Sequence, residues 1–458
     1  MTQTFAPLSF FTPPAPIPRS RQIIPSMFEV IRTIQRNPLE LWGEPSYEDK
    51  WISTSFLGMK TVIINDPGLI RHVLVENVAN YKMARIRQAI LRPILRDGLL
   101  TAEGDIWKRT RKAMAPVFTP RAIHAFGAVM KTRTEEFAKR FQAGEVRDVA
   151  HDMTLLTYDI LAETLFSGEI AGTPGSFARE IETLFETMGR VDPLDVFNAP
   201  SFLPRLTRIK GRKSLAYFRK IVTDTVDQRK AATGKVAPDD FLTLLLKQEC
   251  PDGLTRQEIE DNIITFIGAG HETTARALGW TLYLLANAPE ELAQVEFEID
   301  AFMASPEAPP HEWLDALPKT RAAFEEAMRL YPPAPSINRE AIAEDRYQTL
   351  VIERGTAVLV MPWTLHRHTL LWDQPRAFMP SRFWPENRGK LDRFQYLPFG
   401  AGPRICIGAT FALQEAVIAL AILLKQFRFE VTPECKPWPV QKLTTQPQGG
   451  LPMRVVLR

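Results

Sequence analysis

Phe399-Gly400-Ala401-Gly402-Pro403-Arg404-Ile405-Cys406-Ile407-Gly408 is the stretch on which the reading of this chain turns. It stands directly before an apolar run from about Ala409 to Phe427 that reads as a helix. A cysteine entering a helix N-terminus meets unpaired backbone N–H groups and the positive end of the dipole, which favours the thiolate. Gly402 and Gly408 allow the backbone to turn and lie close to a flat ligand. Arg404 is placed to reach an anionic group on that ligand. A lone cysteine near a helix is ordinarily structural. Phe, two Gly, Arg and Cys at these spacings reverse that reading.

Working outward, the next element is a long helix. Thr255-x-x-Glu258 is a capping box, and an apolar period runs on to Asn287, with Pro289 closing it. At 1.5 Å per residue this spans roughly 48 Å, so it is expected to cross the middle of the protein. Gly268 and Gly270 sit inside it, each costing ~1 kcal/mol relative to alanine, which points to close approach of a ligand or a kink. Beside them Glu272 and Thr273 place a carboxylate and a hydroxyl next to each other, a pairing suited to proton delivery. The bland alternative is a surface Glu and a Thr bonded back to the preceding turn.

Glu326 and Arg329 stand i, i+3 and can pair on one helix face. Trp107 and Arg111 stand i, i+4 and offer an indole N–H and a guanidinium to a carboxylate. Most of the chain from Pro67 to Leu330 has a 3.6-residue apolar period, while Trp51 to Ile64, Ala357 to Met361 and Arg454 to Leu457 read as strands. The expected fold is mainly α with a small peripheral β-sheet.

These stretches together resemble the cytochrome P450 family. The match lies in Phe399-x-x-Gly402-x-Arg404-x-Cys406-x-Gly408, Ala269-Gly270-His271-Glu272-Thr273-Thr274, Glu326-Ala327-Met328-Arg329 with Arg382, and Trp107-x-x-x-Arg111, all in the family's order. The resemblance implies one haem domain over residues 1–458, a triangular helical prism around haem b, with a Pro-rich arm at 1–25. It implies Cys406 as thiolate ligand of the iron, Phe399, Gly402, Arg404, Gly408 and Ala269 against the haem, and Trp107, Arg111, Arg339 and Arg404 toward the propionates. Thr273 is then the oxygen-handling alcohol and Glu272 its acidic partner. Glu326, Arg329 and Arg382 are structural in this reading. His271 is given no role.

Composition sets the bounds. The 458 residues are 45% hydrophobic, and no linker, repeat or block of like charge divides them. A net charge of +3 is too small to argue for nucleic acid. Three cysteines, Cys250, Cys406 and Cys435, form no CxxC pair, which weakens zinc and dithiol readings. No secretory signal is legible at the N-terminus and no run approaches ~18 consecutive apolar residues. A cytoplasmic protein without a transmembrane anchor is expected.

The implied activity is monooxygenation: one atom of dioxygen enters an apolar or amphipathic small organic substrate, with two electrons and two protons. Only 52 residues follow Cys406, so the reductant is expected to be a separate ferredoxin, or a flavodoxin, with its reductase. Lys108, Arg109 and Lys112 form a basic patch suited to steer such an acidic donor. A peroxide-driven peroxygenase, against which the Glu272–Thr273 pair counts, and a non-catalytic haem sensor or carrier, which would not need that proton relay, are the alternatives. Among Arg85, Arg87, Arg92 and Arg96, one is a candidate for a substrate carboxylate, against the ordinary reading as solvated arginines. Val196-Phe197 and Ser201 to Pro204 read as an apolar entrance loop.

Overall fold

A computed structural model describes residues 10–458 apart from 57, 171–179, 181–182, 185–186, 188–191, 197–203, 233–237, 239, 251–252 and 305–307. The expected entrance loop lies outside the described residues except for Val196 and Pro204. The longer helices are α1 (Met27–Arg36), α2 (Arg85–Leu95), α3 (Gly104–Met114), α4 (Pro120–Ala138), α5 (Val149–Phe166), α6 (Leu206–Ala231), α7 (Arg256–Ala286), α8 (Pro289–Met303), α9 (Pro318–Leu330) and α10 (Ala409–Gln426). Helices form the body and strands its edges.

The central helix is α7, 31 residues long, and its capping box is made as the sequence predicts: the Thr255 side chain accepts from the Glu258 N–H, and Glu258 reaches back to the Thr255 N–H. It is α-helical without a break. Gly270 lies against α5. A Cβ there would lie 2.5 Å from Leu161 Cδ1 of α5, so the missing side chain lets two helices approach. Thr157 of α5 joins them by donating to the His271 carbonyl at 3.0 Å. Trp280 stacks on Tyr331 beyond the end of α9, with centroids 3.8 Å apart, and extends the same core.

The β-structure is divided. Strands β1 (Trp51–Phe56), β2 (Met59–Ile64), β3 (Tyr81–Met83), β4 (Val146–Asp148), β5 (Ile337–Ala341), β6 (Asp345–Tyr347), β7 (Leu350–Ile352), β8 (Ala357–Val360), β9 (Phe427–Val431), β10 (Trp438–Gln441), β11 (Thr445–Gln448) and β12 (Pro452–Leu457) make four sheets among the described residues. The largest has the order β1-β2-β8-β5-β3, with β2 and β8 parallel and the other pairs antiparallel. The Pro-rich arm packs on the body. Phe378 N donates to Phe11 O, and Tyr331 Oη to Pro14 O at 2.8 Å.

Helix α10 is long and apolar enough to cross a bilayer by length and composition, yet 67% of it is buried inside the protein. Gln414 ties it to α4 by donating to Ile123 O at 2.8 Å. Its apolar character is that of a core helix.

One polar cluster holds the segment that leads to Cys406. Arg329 of α9 is completely buried and meets Glu326 through two N–H···O bonds of 2.7 Å. Its remaining N–H groups donate to the carbonyls of His366 and Pro375 at 2.7 Å and of Ala377 at 2.8 Å. Arg382 adds a second cation 3.4 Å from Glu326, as the resemblance implies. The His366 ring, which the sequence reading overlooked, accepts from Leu397 N at 2.8 Å. Burial, with Arg329 and Arg367 nearby, pulls its pKa from 6.5 down to about 3.

His366 is therefore neutral in the fold while the unfolded chain takes up a proton below about pH 6.5. Native stability falls as pH drops from there toward about 3, by about 1.4 kcal/mol per pH unit for this one group. His366→Gln keeps an acceptor for Leu397 and loses that proton. Denaturant unfolding followed down to about pH 4 should give a shallower acid limb in the variant. Equal slopes would remove His366 from the account.

Candidate functional site

The loop before α10 is shaped by backbone contacts. Cys406 N donates to Phe399 O at 2.9 Å and Gly400 N to Leu397 O at 3.2 Å, so the loop folds back on itself. Gly400 and Gly402 take φ of 72° and 73°, which a residue with a Cβ adopts only under strain. Gly402 is also held against a neighbour: a Cβ would fall 1.9 Å from the Leu74 carbonyl oxygen. Protein packing by itself therefore calls for glycine at this position. Gly408 has φ −91° and only the edge of Phe118 nearby, 3.8 Å from a built Cβ.

Cys406 lies outside the helix it precedes, since α10 begins at Ala409 with Gly408 as its cap. The side chain is exposed. Desolvation pushes its thiol up, and the Gly408 N–H and the Arg111 charge pull it down without cancelling that rise. A bound metal cation would favour the thiolate.

Cationic side chains gather beside this loop. Trp107 and Arg111 come from α3, Arg339 from β5 and Arg404 from the loop itself. The Arg404 guanidinium lies over the Trp107 ring, 4.7 Å from its centroid, and pairs with Glu103 at 2.6 Å. Glu103 was not foreseen; its other oxygen accepts from Met83 N at 2.9 Å. Burial, then repulsion from Arg404, pulls Arg339 down to about 10, and burial also lowers Arg111. Among the described residues no carboxylate pairs with Arg111 or Arg339. One glutamate thus stands among three buried or half-buried guanidinium groups, an imbalance that a dianionic ligand corrects.

The face of α7 is equally selective. From Asp261 to Leu285 every residue is buried except Ala269, Gly270, Thr273 and Arg276. Ala269, Thr273 and Arg276 share one stripe of the helix. Phe118 ties this region to the cysteine loop, lying against Gly408 and stacking on Phe266 at 5.3 Å. Thr273 Oγ1 donates to Ala269 O at 2.8 Å, which is the back-bond of the bland reading. Glu272 turns away from Thr273: its Oε1 accepts from Thr444 at 2.8 Å and from Gln446 at 2.7 Å. Its Oε2 is buried without a hydrogen-bond partner among the described residues, with Arg276 3.8 Å from Oε1. The two side chains are neighbours in sequence and not bonded to each other. Glu415 of α10, also unforeseen, is buried and hydrogen-bonded to Thr274, and burial pushes it well above the carboxylate range.

A cavity of about 740 Å³ lies along α7. His271, Glu272 and Arg276 line one part of it; Ile86, Arg87 and Ile90 of α2, Asn338 of β5 and Gln446 of β11 line others. Cys406, Ala269, Thr273 and the arginines at 111, 339 and 404 do not line it.

A family model described as cytochrome P450 matches residues 27–453. The chain belongs to the cytochrome P450 family. Among its relatives, cyclooctatin synthase of Streptomyces melanosporofaciens is 31% identical over 393 residues, covering 84% of each chain. Pentalenene oxygenase of Streptomyces avermitilis is 29% identical over 432 residues, 93% of this chain and 94% of that one. The crystal structure of a cytochrome P450 (CYP102L1) superposes with a TM-score of 0.79 at 25% identity, covering 97% of this chain and all of that one. A six-coordinated P450 from Thermus thermophilus gives 0.68 at 26% identity, over 86% and 92%.

As a family member the chain is an oxidoreductase of the haem-thiolate class, and its cofactor is haem b. The residues present fit that group. The exposed face of Cys406 offers a sulfur, and the under-compensated Arg111 and Arg339 suit two carboxylates. Gly402→Ala should lower stability by about 3 kcal/mol or more, because overpacking against a carbonyl adds to left-handed strain. Gly408→Ala should change it by under about 1 kcal/mol. Denaturant unfolding of the two variants beside the parent checks the contrast.

Proposed function

We propose that the protein is an external monooxygenase acting on an apolar or amphipathic small organic substrate, with electrons from a separate ferredoxin. In this reading residues 1–458 form one haem domain, working in the cytoplasm. Cys406 is the axial thiolate, and Phe399, Gly402, Gly408 and Ala269 line the haem. Trp107, Arg111 and Arg339 hold the propionates, with Arg404 steadied between Trp107 and Glu103. The haem, when bound, supplies the oxygen-activating iron, to which a thiolate ligand pushes electron density that favours O–O cleavage.

The observation that carries the proposal is the open stripe of Ala269 and Thr273 on an otherwise buried helix. A hydroxyl there needs only to release its bond to Ala269 O to donate to a ligand on that face. Glu272 stands on the next position, its Oε2 without a hydrogen-bond partner among the described residues, and lines the cavity with Arg276. A path from cavity to Glu272 lets protons arrive while the helix keeps bulk water out. A relative called an oxygenase supports oxygen insertion as the outcome.

The donor surface is proposed at Lys108 and Lys112, both exposed on α3. Arg109 is set apart from the patch. It pairs with Glu258, the capping-box residue of α7, and so serves the fold.

Turnover with NAD(P)H, ferredoxin and reductase, compared with hydrogen peroxide alone, tests the proposal. Product only with peroxide favours a peroxygenase, and no product from either system favours a sensor or carrier. Thr273→Ala should retain haem and substrate binding while most reducing equivalents appear as hydrogen peroxide. Product per electron equal to the parent would withdraw the role given to Thr273. Replacing Lys108 and Lys112 by Gln should slow reduction by ferredoxin several-fold at low salt, the difference vanishing at high salt. Stopped-flow rates across an ionic-strength series measure this.

A further inference from the structure

Strand β11 is fastened to the core by one face and meets Glu272 with the other. Thr445 is completely buried; its N–H donates to Pro333 O at 3.1 Å and its hydroxyl to Pro332 O at 2.6 Å. Side chains alternate along extended chain, so Thr444 and Gln446, on either side of it, face the opposite way. There Thr444 Oγ1 donates to Glu272 Oε1 at 2.8 Å, and Gln446 Nε2 donates to the same oxygen at 2.7 Å. Gln446 Nε2 also lies 3.4 Å from Thr444 Oγ1. Both donors therefore stand on a strand that the segment after α9 holds in place.

Other buried carboxylates in this protein are held differently. Glu326 has both oxygens bonded to Arg329, and Glu296 has both bonded to Arg428. Asp152 meets Arg147 in the same way, at 2.6 and 2.7 Å. A two-pronged arginine pair fixes a carboxylate in its ionised form and serves the fold. Glu272 has no such pair among the described residues. Arg276, one turn further along α7, stands 3.8 Å from Oε1, beyond hydrogen-bond reach. The donors to Glu272 are neutral and share one oxygen, while Oε2 is buried without a partner among the described residues. A carboxylate kept only for structure gains by having both oxygens met.

We infer that Thr444 and Gln446 are positioning residues for proton delivery: by occupying Oε1 they leave Oε2 as the atom of Glu272 that carries the proton. An O–H bond forms at Oε2 as the proton arrives from the cavity side and breaks as it is passed on, which restores the carboxylate. Gln446 lines the 740 Å³ cavity together with Glu272, so the restraint acts at the cavity end of that path. Without the two donors the carboxylate is free to swing to Arg276 and close an ion pair, which holds it ionised. This rests on the monooxygenase reading above and on the role it gives to Glu272.

The test uses haem-loaded protein with NAD(P)H, ferredoxin and reductase but no organic substrate, so that dioxygen is reduced either to peroxide or, with further protons, to water. Thr444→Val and Gln446→Leu should each raise the ratio of peroxide to water roughly five-fold, the scale of one hydrogen bond. Thr444→Ser keeps the hydroxyl and should keep the parent ratio. In a Glu272→Gln background Thr444→Val should add nothing, because it acts through that carboxylate. Independently of turnover, the infrared carboxylate bands that Glu272→Gln removes from the parent spectrum should shift in Thr444→Val. A parent ratio in Thr444→Val or Gln446→Leu, an additive effect in the Glu272→Gln background, or unmoved bands overturns the inference. If Glu272→Gln itself leaves the ratio unchanged, the acid role of Glu272 in the underlying reading fails, and the inference falls with it.

Discussion

A guanidinium with no access to water must have its N–H groups met by oxygen, and Arg329 is such a group. Its bonds run to Glu326 and to the carbonyls of His366, Pro375 and Ala377. These are long-range contacts, so meeting one buried charge pins α9 to a segment some fifty residues further along the chain. From His366 the restraint passes to Leu397 and so to the loop that presents Cys406. Withdrawing either member of the Glu326–Arg329 pair leaves a buried charge uncompensated, typically about 3–5 kcal/mol. The position of the sulfur depends on that balance being kept.

The same electrostatic demand is left partly unmet a short way along the chain fold. Arg111 and Arg339 are desolvated without carboxylates of their own, and Glu103 is engaged by Arg404. Such an arrangement weakens the protein by itself and gains from a dianion. The cost of the site is thus carried by the binding of the cofactor, while the cost of the Arg329 cluster is met internally. Cys406 follows the first pattern, since a bound metal cation would favour its thiolate.

Several site residues take their places for reasons other than the ones their sequence context suggests. Gly270 yields to Leu161 and Gly402 to the Leu74 carbonyl. Glu272 is oriented by Thr444 and Gln446, more than 170 positions away in the chain. Arg109, one of a row of basic residues, is taken up by the cap of α7. Glu103, His366 and Glu415 carry no local signal, because an isolated acid or histidine in a helix or loop resembles any other until its neighbours are known.

What the sequence determined by itself is whatever acts over a few residues. The capping box at Thr255 and Glu258, the 3.6-residue period of the long helices, the hairpin of β1 and β2 and the motif around Cys406 are all local. Steric and hydrogen-bonding rules along one segment suffice to read them. The tertiary structure alone decided which charges are matched. It paired Arg85, Arg92 and Arg109, left Arg87, Arg111 and Arg339 under-compensated, and turned Glu272 away from Thr273. Coulomb energy and desolvation depend on distance and burial in space, and neither quantity exists until segments far apart in the chain have packed together.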